Sequence, residues 1–364
     1  MKLLRLKLNS DFRSLQAGFE VHFLRDFEKG KVYDFTPYCL AGKNGSGKSN
    51  ILEAISLLGG TFSTDTRKYL SEFIRYDRFE DLFYDKETSN SIYVGSNIGV
   101  SQIENEPGKS YFRYYLAADK LTLESLRKST KSSISSIDLH GHQTFIPSFA
   151  KDISAEGNTV GSVGVEQWHT PIKKYDFKKY MDIKNRFHHF LLPADGSNLY
   201  AVVNNNKKFH SEISSFFKEY KLNFVLKRET TEFSLQKNVK GVVYEYKYNL
   251  IADTLQRIIF YLMAIGSNKE SVLIFEEPET HSFPRYTKLL AEKIIASKEN
   301  QFFVSTHSPF ILNTIIENAP LEDVAVFVAS YENFQTKVKP LSKRELEDML
   351  NYGNDIFFSD KLNG

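Results

Sequence analysis

Gly42-Lys43-Asn44-Gly45-Ser46-Gly47-Lys48-Ser49 is a complete G-x-x-x-x-G-K-[ST] phosphate-binding loop. The apolar run Tyr38-Cys39-Leu40-Ala41 precedes it and reads as a strand. Asn50 to Leu58 follows as a helix, with Ile51, Leu52, Ile55 and Leu58 on one face. Strand, loop and helix in this order are the setting in which the motif cradles phosphate rather than merely turning the chain. Its glycines let successive backbone N–H groups converge on phosphate oxygens, and the helix start adds its positive dipole end. All eight loop residues are therefore nucleotide-binding candidates. Lys48 is placed to reach the β- and γ-phosphates, and the Ser49 hydroxyl suits Mg²⁺, which makes ATP and Mg²⁺ the expected ligands.

Two later segments supply the chemistry that a nucleotide site needs. Ser271-Val272-Leu273-Ile274-Phe275 is a continuous apolar run, the pattern of a strand buried on both faces, and it ends in Glu276-Glu277-Pro278-Glu279. Carboxylates at the exit of a buried strand need partners, because unpaired buried charge is costly. Glu276 is read as the Mg²⁺ carboxylate and Glu277 as the group that orients or deprotonates the attacking water. A second buried strand, Gln301-Phe302-Phe303-Val304-Ser305, runs into Thr306-His307-Ser308-Pro309. His307 then stands at the carboxyl end of a neighbouring strand, where ligands of open α/β sheets bind, and is the candidate sensor of the γ-phosphate and the water.

The rest of the chain frames these pieces. With 364 residues it is long enough for one or two domains with a large core. A net charge of +2 is too small to imply a nucleic-acid partner. The single cysteine, Cys39, excludes an internal disulfide framework, fits a reducing compartment and is read as a small buried hydrophobe. Neither a signal peptide nor a run of eighteen apolar residues is visible, so a cytoplasmic protein with no membrane span is expected. Leu4, Leu6 and Leu8, then Phe19, Val21 and Phe23, alternate as two strands of an N-terminal antiparallel sheet. Strands and helices alternate again from Leu192, including a helix over Asp253 to Ile265. Between these regions the pattern is poorly readable and is taken as an inserted lobe, mixed and partly helical.

Some signals have ordinary readings. His140-Gly141-His142 and His188-His189 have no cysteine beside them and few carboxylates nearby, so they are not read as a metal site. Lys173, Lys174, Lys178, Lys179, Lys184 and Arg186 interleave with Tyr175, Phe177 and Tyr180. That stripe is read as a solvated helix face backed by packed aromatics, with nucleic-acid binding as its alternative.

In their order and spacing these motifs resemble the ABC-type ATPase heads of the RecF, SMC and OLD group. Leu192-Pro193-Ala194-Asp195-Gly196-Ser197-Asn198-Leu199 looks like the D-G-S-N-L element of the same heads. The resemblance implies an α/β fold: an ABC-type P-loop NTPase with a parallel core sheet and an N-terminal antiparallel sheet. It assigns residues 1–60 and 192–364 to the head and 61–191 to the insertion. It also implies dimerisation around nucleotide, as a homodimer or higher even oligomer. A signature segment of the opposite subunit would then contact the γ-phosphate. Here that trans signature falls on Ala252-Asp253-Thr254, without the usual Ser and Gly, and Asp253 or Thr254 is left to cap the helix.

Within the group, about 55 residues follow His307, fewer than a Toprim nuclease domain needs. No long heptad run supports an SMC arm, and no nuclease motif stands out. The chain therefore looks most similar to the PtuA-type ATPases of Septu and retron-associated antiphage systems. That likeness implies ATP-dependent control of a separate HNH nuclease (PtuB-like), with a reverse transcriptase–nucleic acid complex or DNA as further partners. The alternatives are a RecF-type repair ATPase and a nucleotide-stabilised scaffold with little turnover.

Overall fold

The computed structural model describes residues 2–23, 37–59, 70–105, 108–128, 133–134, 146, 148–160, 170–179 and 185–352. The chain begins with β1 (Arg5–Leu8), β2 (Glu20–His22), β3 (Pro37–Ala41) and α1 (Lys48–Ser56). It continues through β4 (Ile92–Ser96), β5 (Val100–Asn105), β6 (Tyr111–Ala117), α2 (Lys120–Lys128), β7 (Ser133–Ile134), β8 (Ser148–Ser154) and β9 (Ile172–Tyr175). Then come α3 (Leu199–Asn204), α4 (Lys207–Lys218), β10 (Asn223–Lys227), β11 (Glu232–Val239), β12 (Val242–Lys247) and α5 (Asp253–Ser267). The last elements are β13 (Val272–Glu276), α6 (Pro284–Ala296), β14 (Gln301–Thr306), α7 (Pro309–Asn318), β15 (Ala325–Glu332), β16 (Gln335–Pro340) and α8 (Lys343–Tyr352).

Among the described residues three sheets form, ordered β2-β1-β4-β5-β6-β8-β7, β10-β11-β12 and β16-β15-β3-β14-β13-β9. The last is the core sheet. It is parallel from β15 to β9, and only β16 runs antiparallel. Its strands are apolar on both sides because both sides are covered. Leu273, Phe275, Phe302 and Val304 face one core with α5, α6 and α7. Ile274, Phe303, Tyr38 and Leu40 face a second core shared with α1 and the antiparallel sheet. Burying each such side chain contributes about 1.5–3 kcal/mol, so the sheet is held from both faces. The fold is that of an α/β P-loop NTPase with a parallel core sheet, as the alternation of buried strands and helices implies.

The sheets do not follow the expected boundaries at residues 60 and 192. β4, β5, β6 and β8 extend the antiparallel sheet that β1 and β2 begin, so the described residues of the segment read as a partly helical lobe contribute mainly strands. β9, also inside that segment, closes one edge of the core sheet. These strands were illegible because several alternate irregularly; β5, for example, buries Val100, Ser101, Gln102 and Ile103 in succession.

The lysine–aromatic stripe also differs from its reading. Ile172 to Tyr175 is a buried strand, not a helix, and Lys173 and Lys174 are both buried within it. Lys184 and Tyr180 of that stripe lie outside the described residues, as do His140-Gly141-His142. α7 begins with Ser308 as N-cap, its hydroxyl accepting from Phe310 N at 3.3 Å, and Pro309 in the first turn. That Ser-Pro pair is a helix start legible in the sequence. Among the described residues no helix is long and apolar enough to cross a membrane.

Candidate functional site

Strand register assembles the site. β3 and β14 pair so that Ala41 lies beside Thr306, and β14 and β13 pair so that Ser305 lies beside Glu276. Gly42 and His307 therefore leave adjacent parallel strands at one level, and Glu277 leaves the third strand one residue behind, beside Thr306. Their contacts follow from that register. His307 Nδ1 lies 3.1 Å from the Gly42 carbonyl, which only accepts, so Nδ1 donates. Its Nε2 is 2.5 Å from Glu277 Oε1. The ring thus ties the first residue of the phosphate loop to the carboxylate read as the base. Glu277 adopts a left-handed backbone with φ 44°, a conformation disfavoured for a side chain with a Cβ. Its N–H still donates to the Ser305 carbonyl at 3.0 Å.

The loop itself turns through three glycines with positive φ: Gly42, Gly45 and Gly47. At Gly47, with φ 89°, an added Cβ would overlap the Thr336 hydroxyl and come within 2.8 Å of Thr336 Cβ. Lys48 is buried, and its ammonium donates to the Gly42 and Lys43 carbonyls at 2.8 and 2.9 Å. Burial lowers it to about 8, against the upward pull of Glu277, Glu276 and Glu279. Ser49 Oγ donates to Glu276. A serine hydroxyl beside one carboxylate is a hard-oxygen donor set, and it fits Mg²⁺, which is commonly held by one or two carboxylates together with phosphate and water.

Glu276 also meets two cations that the sequence reading missed. Lys174 Nζ is 3.0 Å from Glu276 Oε2, and Arg75 Nη2 is 3.1 Å from Oε1. Burial would raise this carboxyl, but Lys174, the Ser49 hydrogen bond and Arg75 outweigh it, so Glu276 stays below the usual carboxylate range. Strand parity explains Lys174: it pairs with Ile274, and Ile274 and Glu276 share a face. Lys173 points to the other face, donating to Asn268 and Ser271 at 2.6 and 3.2 Å and lying 3.7 Å over the Phe190 ring.

Arg75 is held in turn by Glu53 of α1, at 2.9 Å, and Glu53 also pairs with Arg13. Glu53 is fully buried. A signal for this network did exist, since one carboxylate on an otherwise apolar helix turn requires cationic partners. Glu279, quoted with its neighbours but given no role, is buried. It accepts from the Thr306 hydroxyl and, at 3.3 Å, from the His307 N–H. Burial raises its carboxyl and, with Glu279 adding to the effect, pushes the Cys39 thiol to about 12.

The remaining sequence candidates are placed as follows. Ala252 occupies the N-cap position of α5 and provides no side-chain cap. Asp253 and Thr254 lie within the first turn, and Thr254 Oγ1 donates to the His281 carbonyl at 2.9 Å, so neither caps the helix as expected. In the D-G-S-N-L element Asn198 is fully buried. Its side chain accepts from Leu192 N and donates to the Phe187 and Phe190 carbonyls at 2.7–2.8 Å. That element is a staple between backbone segments. His188 and His189 stack on each other at 4.5 Å. Among the described residues no three His, Cys, Asp or Glu side chains cluster as a metal site.

A family model described as "AAA domain, putative AbiEii toxin, Type IV TA system" matches residues 38–313. No curated protein matches the sequence. Solved structures similar to the chain include an SMC head bound to the C-winged helix domain of ScpA, at 15% identity and TM-score 0.49. That match covers 94% of this chain and 98% of the other. The Pyrococcus yayanosii Smc head with a coiled coil and joint is 12% identical at TM-score 0.49, covering 97% and 99%. The Thermotoga maritima SMC head is 16% identical at TM-score 0.41, covering 94% and 100%.

Proposed function

We propose that this chain, which belongs to the family described as "AAA domain, putative AbiEii toxin, Type IV TA system", is an ABC-type ATPase that closes as a dimer around ATP and uses the nucleotide state to control a partner nuclease. The observation that carries the reading is the ring of contacts at the strand ends: Ser49 on Glu276, and His307 on both Gly42 and Glu277. In it, the loop N–H groups and Lys48 bind the phosphates. Ser49 and Glu276 would hold Mg²⁺, which when bound neutralises charge developing on the phosphate oxygens. Glu277 accepts a proton from the attacking water, and His307 fixes Glu277 against the loop. The family's toxin–antitoxin description accords better with a defence role than with DNA repair.

One observation favours low turnover. The start of α5, where a second copy's signature would act, offers neither glycine nor a capping side chain and places Asp253 in its first turn. A carboxylate there opposes a phosphate. A nucleotide-stabilised scaffold is therefore the second reading.

Phosphate release from Mg²⁺–ATP by the purified chain separates the two. For Glu277→Gln the expected outcome is a loss of hydrolysis of at least ~100-fold with ATP binding retained and the dimer fraction increased in sedimentation. Unchanged hydrolysis by that variant would remove Glu277 from its role.

A further inference from the structure

A nucleotide in this site has a direction, and the direction leads to a surface that the sequence reading did not consider. Glu276, Glu277 and His307 emerge from β13 and β14, on one side of β3. With its terminal phosphate toward them, a nucleotide runs its sugar and base over the opposite flank, where β15 and β16 lie. This step rests on the nucleotide reading above. We propose that Tyr331 and Phe334, on the β15–β16 hairpin, form the stacking ledge for the purine base.

The hairpin is bolted to the phosphate loop. β15 runs beside β3, with Val328 level with Ala41, and a Cβ added at Gly42 would come within 2.5 Å of the Ala329 carbonyl. Thr336 presses on Gly47 and shares a 2.6 Å hydrogen bond with Ser14, which accepts from Asn50 of α1 at 2.7 Å. Tyr331 is the cross-strand partner of Thr336. Directly opposed residues share a face with Cβ atoms about 4.5–5.5 Å apart, so Tyr331 stands beside the Gly47 contact. It is 50% exposed, whereas Thr336 is buried.

Phe334 is at the tip and is 73% exposed. Asn333 and Phe334 both have positive φ, 50° and 64°, in a two-residue turn whose second position favours glycine. Among the described residues this large apolar ring is left largely uncovered at a disfavoured backbone position, and a base would cover it. Aromatic faces stack on a purine irrespective of its hydrogen-bonding edge.

Calorimetric titration with Mg²⁺–ATP and with Mg²⁺–tripolyphosphate, which has the phosphates but no base, tests the ledge. The Tyr331→Ala/Phe334→Ala protein is expected to bind ATP about tenfold more weakly while binding tripolyphosphate as the parent does. Tyr331→Phe is expected to bind both normally. Phe334→Trp should show fluorescence quenched by ATP and not by tripolyphosphate. Equal ATP affinity in parent and double variant overturns the ledge, as does a parallel loss for both ligands. A parent that binds neither ligand overturns the nucleotide function itself, which is a separate result.

Discussion

The two flanks of β3 are built from opposite chemistry. Toward β14 and β13 the strand ends carry three carboxylates, a histidine and two imported cations, nearly all paired with one another. Toward β15 and β16 the contacts with the phosphate loop are a small hydroxyl and a backbone carbonyl, and the hairpin beyond them shows exposed rings. The charged flank is costly to desolvate and persists because most of its charges are paired and Glu279 is hydrogen-bonded by neutral donors. The aromatic flank carries an exposed ion pair, Lys337 with Glu332 at 2.8 Å, and presents ring surface beside it. A ligand with a polyanionic end and an aromatic end fits that gradient, with Lys48 at its centre.

The largest effect is expected at that centre. Lys48→Ala should reduce ATP binding by at least ~100-fold, since it removes a desolvated charge aimed at phosphate. The sign of the pH dependence follows from the ammonium, which burial lowers to about 8. Above pH 8 the free protein holds Lys48 increasingly neutral, while bound phosphate favours the charged form. ATP binding at pH 8.5 should therefore take up a proton and weaken as pH rises further. Titrations in buffers of different ionisation enthalpy read this directly, and Lys48→Ala should abolish the uptake.

Gly47→Ala should follow in size. It combines left-handed backbone with overlap on Thr336, so a stability loss of about 2–4 kcal/mol is expected in denaturant unfolding. Adding Thr336→Ala should recover only the overlap portion. Full recovery would show that the backbone conformation costs nothing.

The smallest effect sharpens a second contrast, between adjacent lysines. Lys174 is neutralised by Glu276, but Lys173 is buried against neutral groups, and burial lowers it to about 7. Between pH 7 and the usual lysine range the unfolded chain binds more protons than the folded one, so stability should rise with pH across that window. Lys173→Met should flatten the rise. An unaltered pH slope would mean that Lys173 is not the group responsible.

Much of the fold was legible because buried parallel strands write themselves as apolar runs: Tyr38 to Ala41, Val272 to Phe275 and Phe302 to Ser305 all appear as strands. The segment before residue 192 was not, since its antiparallel strands interrupt their alternation with buried Ser101, Gln102 and Ser148. Lys173-Lys174 looked like a polar surface because charge in sequence does not reveal its partner. Lys174 found Glu276 about a hundred residues away.

The sequence by itself determined the phosphate loop, the apolar strands and the acidic and histidine residues at their ends, because these are local: a few neighbouring residue types suffice to form each. Only the tertiary structure decided which of them meet. Parallel register set Gly42 level with His307 and Glu277 one residue behind, brought Lys174 and Arg75 onto Glu276, and laid the Tyr331 hairpin against Gly47. Those contacts join residues far apart in the chain, and they form because stacking buried strands between two apolar cores leaves the strand ends a single shared edge.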